Sequence, residues 1–302
     1  MRVDCHAHVH PPAYREALGP SPLPPCTLDG YRLTMERYAL DAAVLSVGPP
    51  AAFTGEVTGS AALARIANDG IAEIVRSEPA RFAGLAVLPL PDLRAALAEL
   101  TRSLDELGLD GVMLLSNTAG IYLGDPQLDP LFEALNARGA YVLLHPGFPV
   151  YRPPLEHPVW LYEFPFETVR AVANLIYSGT LERYRNIRIQ LSHLGGAVPF
   201  LANRLGSLSA RESHLAGAAP AGVISYLKRL YYDTALASEA PELVCTQTIV
   251  DPSRLVFGTD WPYSALPESG SDPAPGLLAL GSARPAVEAG NAAALIPRLL
   301  RH

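Results

Sequence analysis

Lysine is nearly absent from this 302-residue chain. Lys228 is the only one, and Arg supplies the rest of its 23 basic residues. Asp and Glu together number 30, so the formal net charge is −7 and no basic stripe exists to track a nucleic-acid backbone. Charged residues make up only 18% against 49% hydrophobic, which excludes a disordered chain. Cysteine is scarce as well. Cys5, Cys26 and Cys245 are odd in number and scattered, which excludes a disulfide framework and a cysteine zinc site. No apolar run reaches the roughly 18 residues of a transmembrane helix, and the chain opens Met1-Arg2-Val3-Asp4-Cys5-His6 without an apolar leader. A cytoplasmic protein, with no nucleic-acid or membrane partner, is the expectation.

What the chain does have is alternation. Short apolar runs predict strands at Arg2–Cys5, Ala43–Val47, Gly84–Leu88, Gly111–Leu115, Tyr141–Leu144, Ile187–Leu191, Leu230–Asp233 and Leu255–Phe257. They are uninterrupted, as strands buried on both faces are. Between them the pattern predicts helices at Leu28–Ala39, Ser60–Ser77, Leu93–Leu107, Pro126–Arg138, Phe166–Ser178, Ala197–Arg211, Gly222–Arg229 and Pro241–Ile249. Asp125 suits an N-cap, Pro126 the first helical position and Gly139 the C-terminal stop. Eight strand-then-helix units predict an α/β fold, a (β/α)8 TIM barrel, as one domain over residues 1–302. An open doubly wound sheet is the alternative. Prolines and glycines cluster in two long loops, near 149–163 and 261–275.

Chemistry-bearing residues fall at strand ends. Alternate strand residues share a face, so His6 and His8 point the same way and can bind one divalent metal. Alone, the pair also fits two ordinary histidines. The pattern then recurs: His145 ends the fifth strand in Leu-Leu-His-Pro-Gly, His193 the sixth in Leu-Ser-His-Leu-Gly-Gly, and Asp260 the eighth in Phe-Gly-Thr-Asp-Trp-Pro. In a barrel these groups converge on one cavity.

With those blocks in view, the sequence resembles the amidohydrolase superfamily, in the branch that holds aminocarboxymuconate-semialdehyde, γ-resorcylate and 6-methylsalicylate decarboxylases. The resemblance runs from Val3 to about Pro297. Asp4–His8, Leu143–Gly147, Leu191–Gly196 and Phe257–Pro262 match the superfamily's metal-site blocks. Gly120–Phe132, Glu163–Gly179 and Gly290–Pro297 look most like the 6-methylsalicylate group. The resemblance implies His6, His8, His145 and Asp260 as metal ligands, with His193 and Asp260 as catalytic acid–base groups. It implies one divalent ion, because Lys228 lies away from a strand's C-terminal end and cannot serve as the bridging lysine of two-metal relatives. Zinc fits three His and one Asp; manganese is the alternative that the branch suggests.

Around this centre, His10, Tyr122, His157, Glu163, Phe164 and Trp261 are expected to line a substrate pocket. His10 follows the ligand pair in phase, although Pro11-Pro12 is expected to bend the chain away. Arg170 is expected in a structural salt bridge. Cys5 points to the opposite face from His6 and is read as core. Asp233, ending the seventh strand, is expected to orient a ligand histidine.

The resemblance implies a metal-dependent, nonoxidative decarboxylase of a small aromatic or unsaturated acid, 6-methylsalicylate-like. Metal-dependent hydrolysis of an amide, lactone or activated C–C bond uses the same ligands and is the alternative. The partner is a small-molecule substrate; relatives suggest a homodimer.

Overall fold

The computed structural model describes residues 1–20, 24–151, 155–209 and 211–300. Eight parallel strands follow one another round a single sheet in chain order. They are β1 (Val3–His8), β2 (Ala42–Ser46), β3 (Phe82–Val87), β4 (Gly111–Leu115), β5 (Tyr141–His145), β6 (Arg188–Leu191), β7 (Tyr231–Asp233) and β8 (Leu255–Val256). Nearly every strand residue is buried, as parallel strands covered by helices on the outside require.

The sheet closes where β1 meets the segment after β8. Cys5 N–H donates to the Phe257 carbonyl (2.8 Å), Asp260 N–H to that of His6 (2.7 Å), and His8 N–H to that of Trp261 (2.8 Å). A parallel bridge joins Ala7 and Trp261. The fold is therefore the (β/α)8 barrel, not the open sheet.

A buried carboxylate clasps this seam. Asp4 Oδ1 accepts from the backbone of His6 and of Thr259 (3.0 Å each), and its Oδ2 from Tyr31 Oη (2.7 Å) and Thr259 Oγ1 (2.6 Å). Burial outweighs these four bonds and pushes the carboxyl up to about 6.

Strand and helix boundaries differ from expectation in instructive places. β1 runs on to His8, and β5 takes in His145, because both strands keep their ladder partners that far. Pro11-Pro12 does not simply bend the chain: Pro12 takes the first position of a helix, Pro12–Leu18, where its missing N–H costs nothing. The expected helix from Leu93 is α-helical to Thr101 and then widens into a π turn, Arg102–Glu106. There Ser103 turns toward Asn68 (3.2 Å). The helix expected from Phe166 begins at Glu163, an acidic residue in its first turn. Asp125 and Gly139 bound their segment as expected, the first accepting from Gln127 N–H and the second left-handed. Of the loop near 149–163, residues 152–154 lie outside the described residues; Val159–Leu161 form one 3-10 turn. No helix among the described residues is long and apolar enough to cross a membrane.

One glycine is fixed by strand contact. Gly111 pairs with Tyr141 across β4 and β5, and a Cβ there would lie 2.3 Å from the Tyr141 carbonyl oxygen. Gly111→Ala is expected to destabilise the protein by about 1–3 kcal/mol through overpacking. Thermal unfolding of the purified variant checks this, and an unchanged midpoint contradicts it.

Candidate metal centre

Three imidazoles are each fixed from behind. His6 Nδ1 bonds Asp233 Oδ2 (3.0 Å), His8 Nδ1 bonds Ser46 Oγ (3.0 Å), and His145 Nδ1 donates to the Pro146 carbonyl (2.8 Å). Their Nδ1 atoms are thereby spent, and the Nε2 atoms are turned inward. All three face Asp260 Oδ1, at 3.2 Å from His6, 3.0 Å from His8 and 3.9 Å from His145. One ligand atom from each of the four residues lies within 4.8 Å of the others, and all four residues are buried. His145 Nε2 is buried without a hydrogen-bond partner.

The charges say what belongs at the centre. Burial alone would lower the His6 pKa, yet the Asp233 and Asp260 carboxylates raise it to about 10. Burial lowers His8 to about 3 and drives His145 down as well. Burial would raise Asp260, but His6, His145 and His193 hold it well below the usual carboxylate range. The chain alone thus keeps a positive charge between two carboxylates. A divalent cation bound by neutral imidazole Nε2 atoms and one carboxylate satisfies the same demand, and the donor set fits it.

The remaining Asp260 oxygen looks elsewhere. Oδ2 lies 3.4 Å from His193 Nε2, so one carboxylate joins the ligand cluster to a fourth histidine. His193 (φ 56°) and Asp260 (φ 57°) both have left-handed backbones, a conformation that costs energy outside glycine. Hydrogen bonds hold each there: His193 N–H donates to Asp233 Oδ1 (2.9 Å), and Asp260 N–H to His6.

The expected surrounding residues fare differently. His10 is 3% exposed and packs on Tyr14, with ring centroids 5.3 Å apart. Phe164 stands edge-on to His145 (6.4 Å) and Phe148 (5.7 Å). Tyr122 Oη donates to buried Glu167 (2.7 Å), which also takes Ser116, Asn117 and Arg170. Arg170 is ion-paired to Glu163 and Glu167, as expected of a structural bridge. His157 is exposed, and the Trp261 indole packs on Tyr31 (5.1 Å) and over Gly30, toward the helix Leu28–Tyr38. Lys228 is exposed at the end of the helix Val223–Leu227.

Sequence reasoning missed Ser46, Gln190 and Tyr263. Gln190 Nε2 donates to Asp233 Oδ2 (2.6 Å); a lone amide inside the apolar run Ile187–Leu191 was the available signal. The Tyr263 ring lies 5.5 Å from His8, in a loop with no periodicity to mark it.

A family model described as Amidohydrolase matches residues 3–298, and the chain belongs to that family. A 6-methylsalicylic acid decarboxylase from Penicillium expansum is 32% identical over 274 residues, covering 86% of this chain and 85% of that protein. A 2-amino-3-carboxymuconate-6-semialdehyde decarboxylase from Dictyostelium discoideum is 33% identical over 67% of this chain and 56% of its own length. Among solved structures, an amidohydrolase II superposes with a TM-score of 0.86 at 26% identity, covering 98% of this chain and 100% of that one. A dihydroxybenzoic acid decarboxylase from a Polaromonas species, solved with manganese and 2-nitroresorcinol, shares the fold at 23% identity (TM-score 0.79, 100% and 98% covered).

Asp233 gives the sharpest test of the centre. Asp233→Asn removes the charge behind His6 while keeping an oxygen for the His193 N–H. Metal affinity is expected to fall about 10–100-fold, read by competition with a chelator. Unchanged affinity would separate Asp233 from the ligand set.

Proposed function

We propose that this chain is a metal-dependent, nonoxidative decarboxylase of a small aromatic or unsaturated carboxylic acid, of the 6-methylsalicylate kind. The observation that carries this is Asp260, which joins three buried imidazoles on one oxygen and His193 on the other. Its setting is a chain whose relatives of about one-third identity are decarboxylases.

One divalent ion per chain would be held by His6, His8, His145 and Asp260, with zinc favoured by a donor set of three nitrogens and one oxygen and manganese the alternative. Exposed Lys228 leaves no lysine to bridge a second ion. When bound, the ion supplies positive charge for the substrate carboxylate and its ortho oxygen. Asp260 enters the cycle protonated from solvent, and its carboxylate is restored when it delivers that proton to the ring carbon that bears the substrate carboxylate. The bond from that carbon to the carboxylate then breaks, its electron pair restores the ring, and carbon dioxide leaves. His193 polarises the substrate oxygen and, through Oδ2, holds the Asp260 carboxylate in line. Phe164, beside His145, gives the substrate ring an apolar wall and keeps water back. Fixed orientation and charge placement are what the protein contributes.

Three free cysteines support a reducing compartment such as the cytoplasm. Exposed Tyr151, Trp160 and Leu161 offer apolar surface for a homodimer.

Elemental analysis of the purified protein is expected to give one ion per chain; two would sink the single-ion site. His193→Ala is expected to keep the metal and lose about 10²–10⁴-fold in turnover; a metal-free variant would make His193 a ligand. The reaction itself is tested in deuterated water with ortho-hydroxybenzoates. Decarboxylation leaves one deuterium on the carbon that lost the carboxylate. Solvent oxygen in the product, with no carbon dioxide released, would make the enzyme a hydrolase.

A further inference from the structure

His145 differs from the other two imidazoles in what stands behind it. His6 Nδ1 meets the Asp233 carboxylate and His8 Nδ1 the Ser46 hydroxyl, whereas His145 Nδ1 meets the Pro146 carbonyl (2.8 Å). A peptide carbonyl orients a ring but brings no charge to strengthen it as a ligand. The same peptide unit, however, leads further. Its N–H, that of Gly147, donates to Ser116 Oγ (2.9 Å), and Ser116 Oγ lies 3.1 Å from Glu167 Oε2. Ser116 and Glu167 are both fully buried.

Chemistry fixes the direction of every bond in this row. The Pro146 carbonyl can only accept, so His145 Nδ1 carries the proton. The Gly147 N–H can only donate, which leaves the Ser116 hydroxyl proton for the Glu167 carboxylate. Three donors thus point one way, from the imidazole to a buried acid, and bonds aligned in this manner polarise one another. The row is also held in place. Ser116 N–H donates to the His145 carbonyl (2.8 Å). Asn117 Nδ2 joins the same Glu167 oxygen (2.7 Å) to the Phe148 carbonyl (3.0 Å). A Cβ at residue 147 would lie 3.0 Å from the Asn117 carbonyl oxygen, so a glycine lets the peptide sit this close to the end of β4. Arg170 (2.6 Å) and Tyr122 (2.7 Å) hold the other Glu167 oxygen, which leaves Oε2 facing the row.

We propose that Glu167 is a positioning residue of the metal centre, a remote counterpart of Asp233. Through Ser116 and the Pro146–Gly147 peptide it orients His145 and makes its Nε2 a stronger ligand. That Nε2, at the far end of the row, is buried and has no hydrogen-bond partner among the described residues. The inference rests on His145 being a metal ligand, as put forward above, and not on the reaction catalysed.

Zinc affinity, read by competition with a chelator, and the imidazole N–H proton resonances of the cobalt-loaded protein test it. His145→Ala serves as the reference and is expected to lose more affinity than any variant of the row. Ser116→Ala and Glu167→Gln are each expected to lower zinc affinity about 10-fold. Each is expected to shift the His145 N–H resonance and leave that of His6 in place. Both cut one row, so the double variant is expected to bind zinc no more weakly than Ser116→Ala alone; independent structural losses would add. Ser116→Ala removes a single oxygen and carries the test by itself, on both readouts, if Glu167→Gln does not fold. Unchanged affinity and an unmoved His145 resonance in Ser116→Ala, with zinc binding still impaired by His145→Ala, overturn the role of Glu167 alone. Additive losses in the double variant overturn it too. Undiminished zinc binding by His145→Ala overturns the ligand assignment. Release of carbon dioxide is scored separately, and its absence with the row intact sinks the decarboxylase proposal alone.

Discussion

The Asp233 carboxylate organises the site. One oxygen takes His6 Nδ1 and Gln190 Nε2, the other the backbone of His193 and of Ala235. A single buried anion at the end of β7 thus sets the tautomer of one proposed ligand and the strained backbone of the proposed acid–base histidine. Burial would make such a carboxylate expensive; in the chain alone the His6 charge, with the hydrogen bonds from His6 and the His193 backbone, holds its pKa below the usual value. β6 and β7 pair in parallel with Gln190 opposite Tyr231, and the amide reaches the carboxylate two residues further along β7.

The same economy holds on the other side of the ion site. Asp260 is fixed by its backbone to β1 and divides its two oxygens between the ligand cluster and His193. The proposed proton delivery and the proposed metal binding therefore share one side chain, so any change that moves the seam between β1 and β8 would move both together. Asp4, Thr259 and Tyr31 are placed to prevent that movement.

Much of this could be read from the residues. Strand ends bearing His6, His8, His145, His193 and Asp260 are marked by apolar runs that stop at Pro or Gly, and parallel order turns those marks into a common cavity. The orienting role of Asp233 follows from its place at a strand end. What stayed hidden depends on side-chain direction in loops. Nothing in Trp261-Pro262-Tyr263 says that the indole turns to the outer helix while Tyr263 approaches His8. Nothing in the sequence marks Glu167 as an interior acid, yet it is fully buried beneath Tyr122, Asn117 and Arg170. Pro11-Pro12 reads as a bend, whereas Pro12 opens a helix and Pro11 packs over Gly70.

The seam also has a temporal side. His8 and Asp260 are 252 residues apart and meet across 3.0 Å. A cation bridging them would close nearly the whole chain into one loop, the kind of clip that removes most entropy from the unfolded ensemble. It could be captured only after the last strand has docked on the first. During synthesis, ion uptake would therefore report completion of the barrel, and a nascent chain stalled before β8 would carry imidazoles without the carboxylate they converge on.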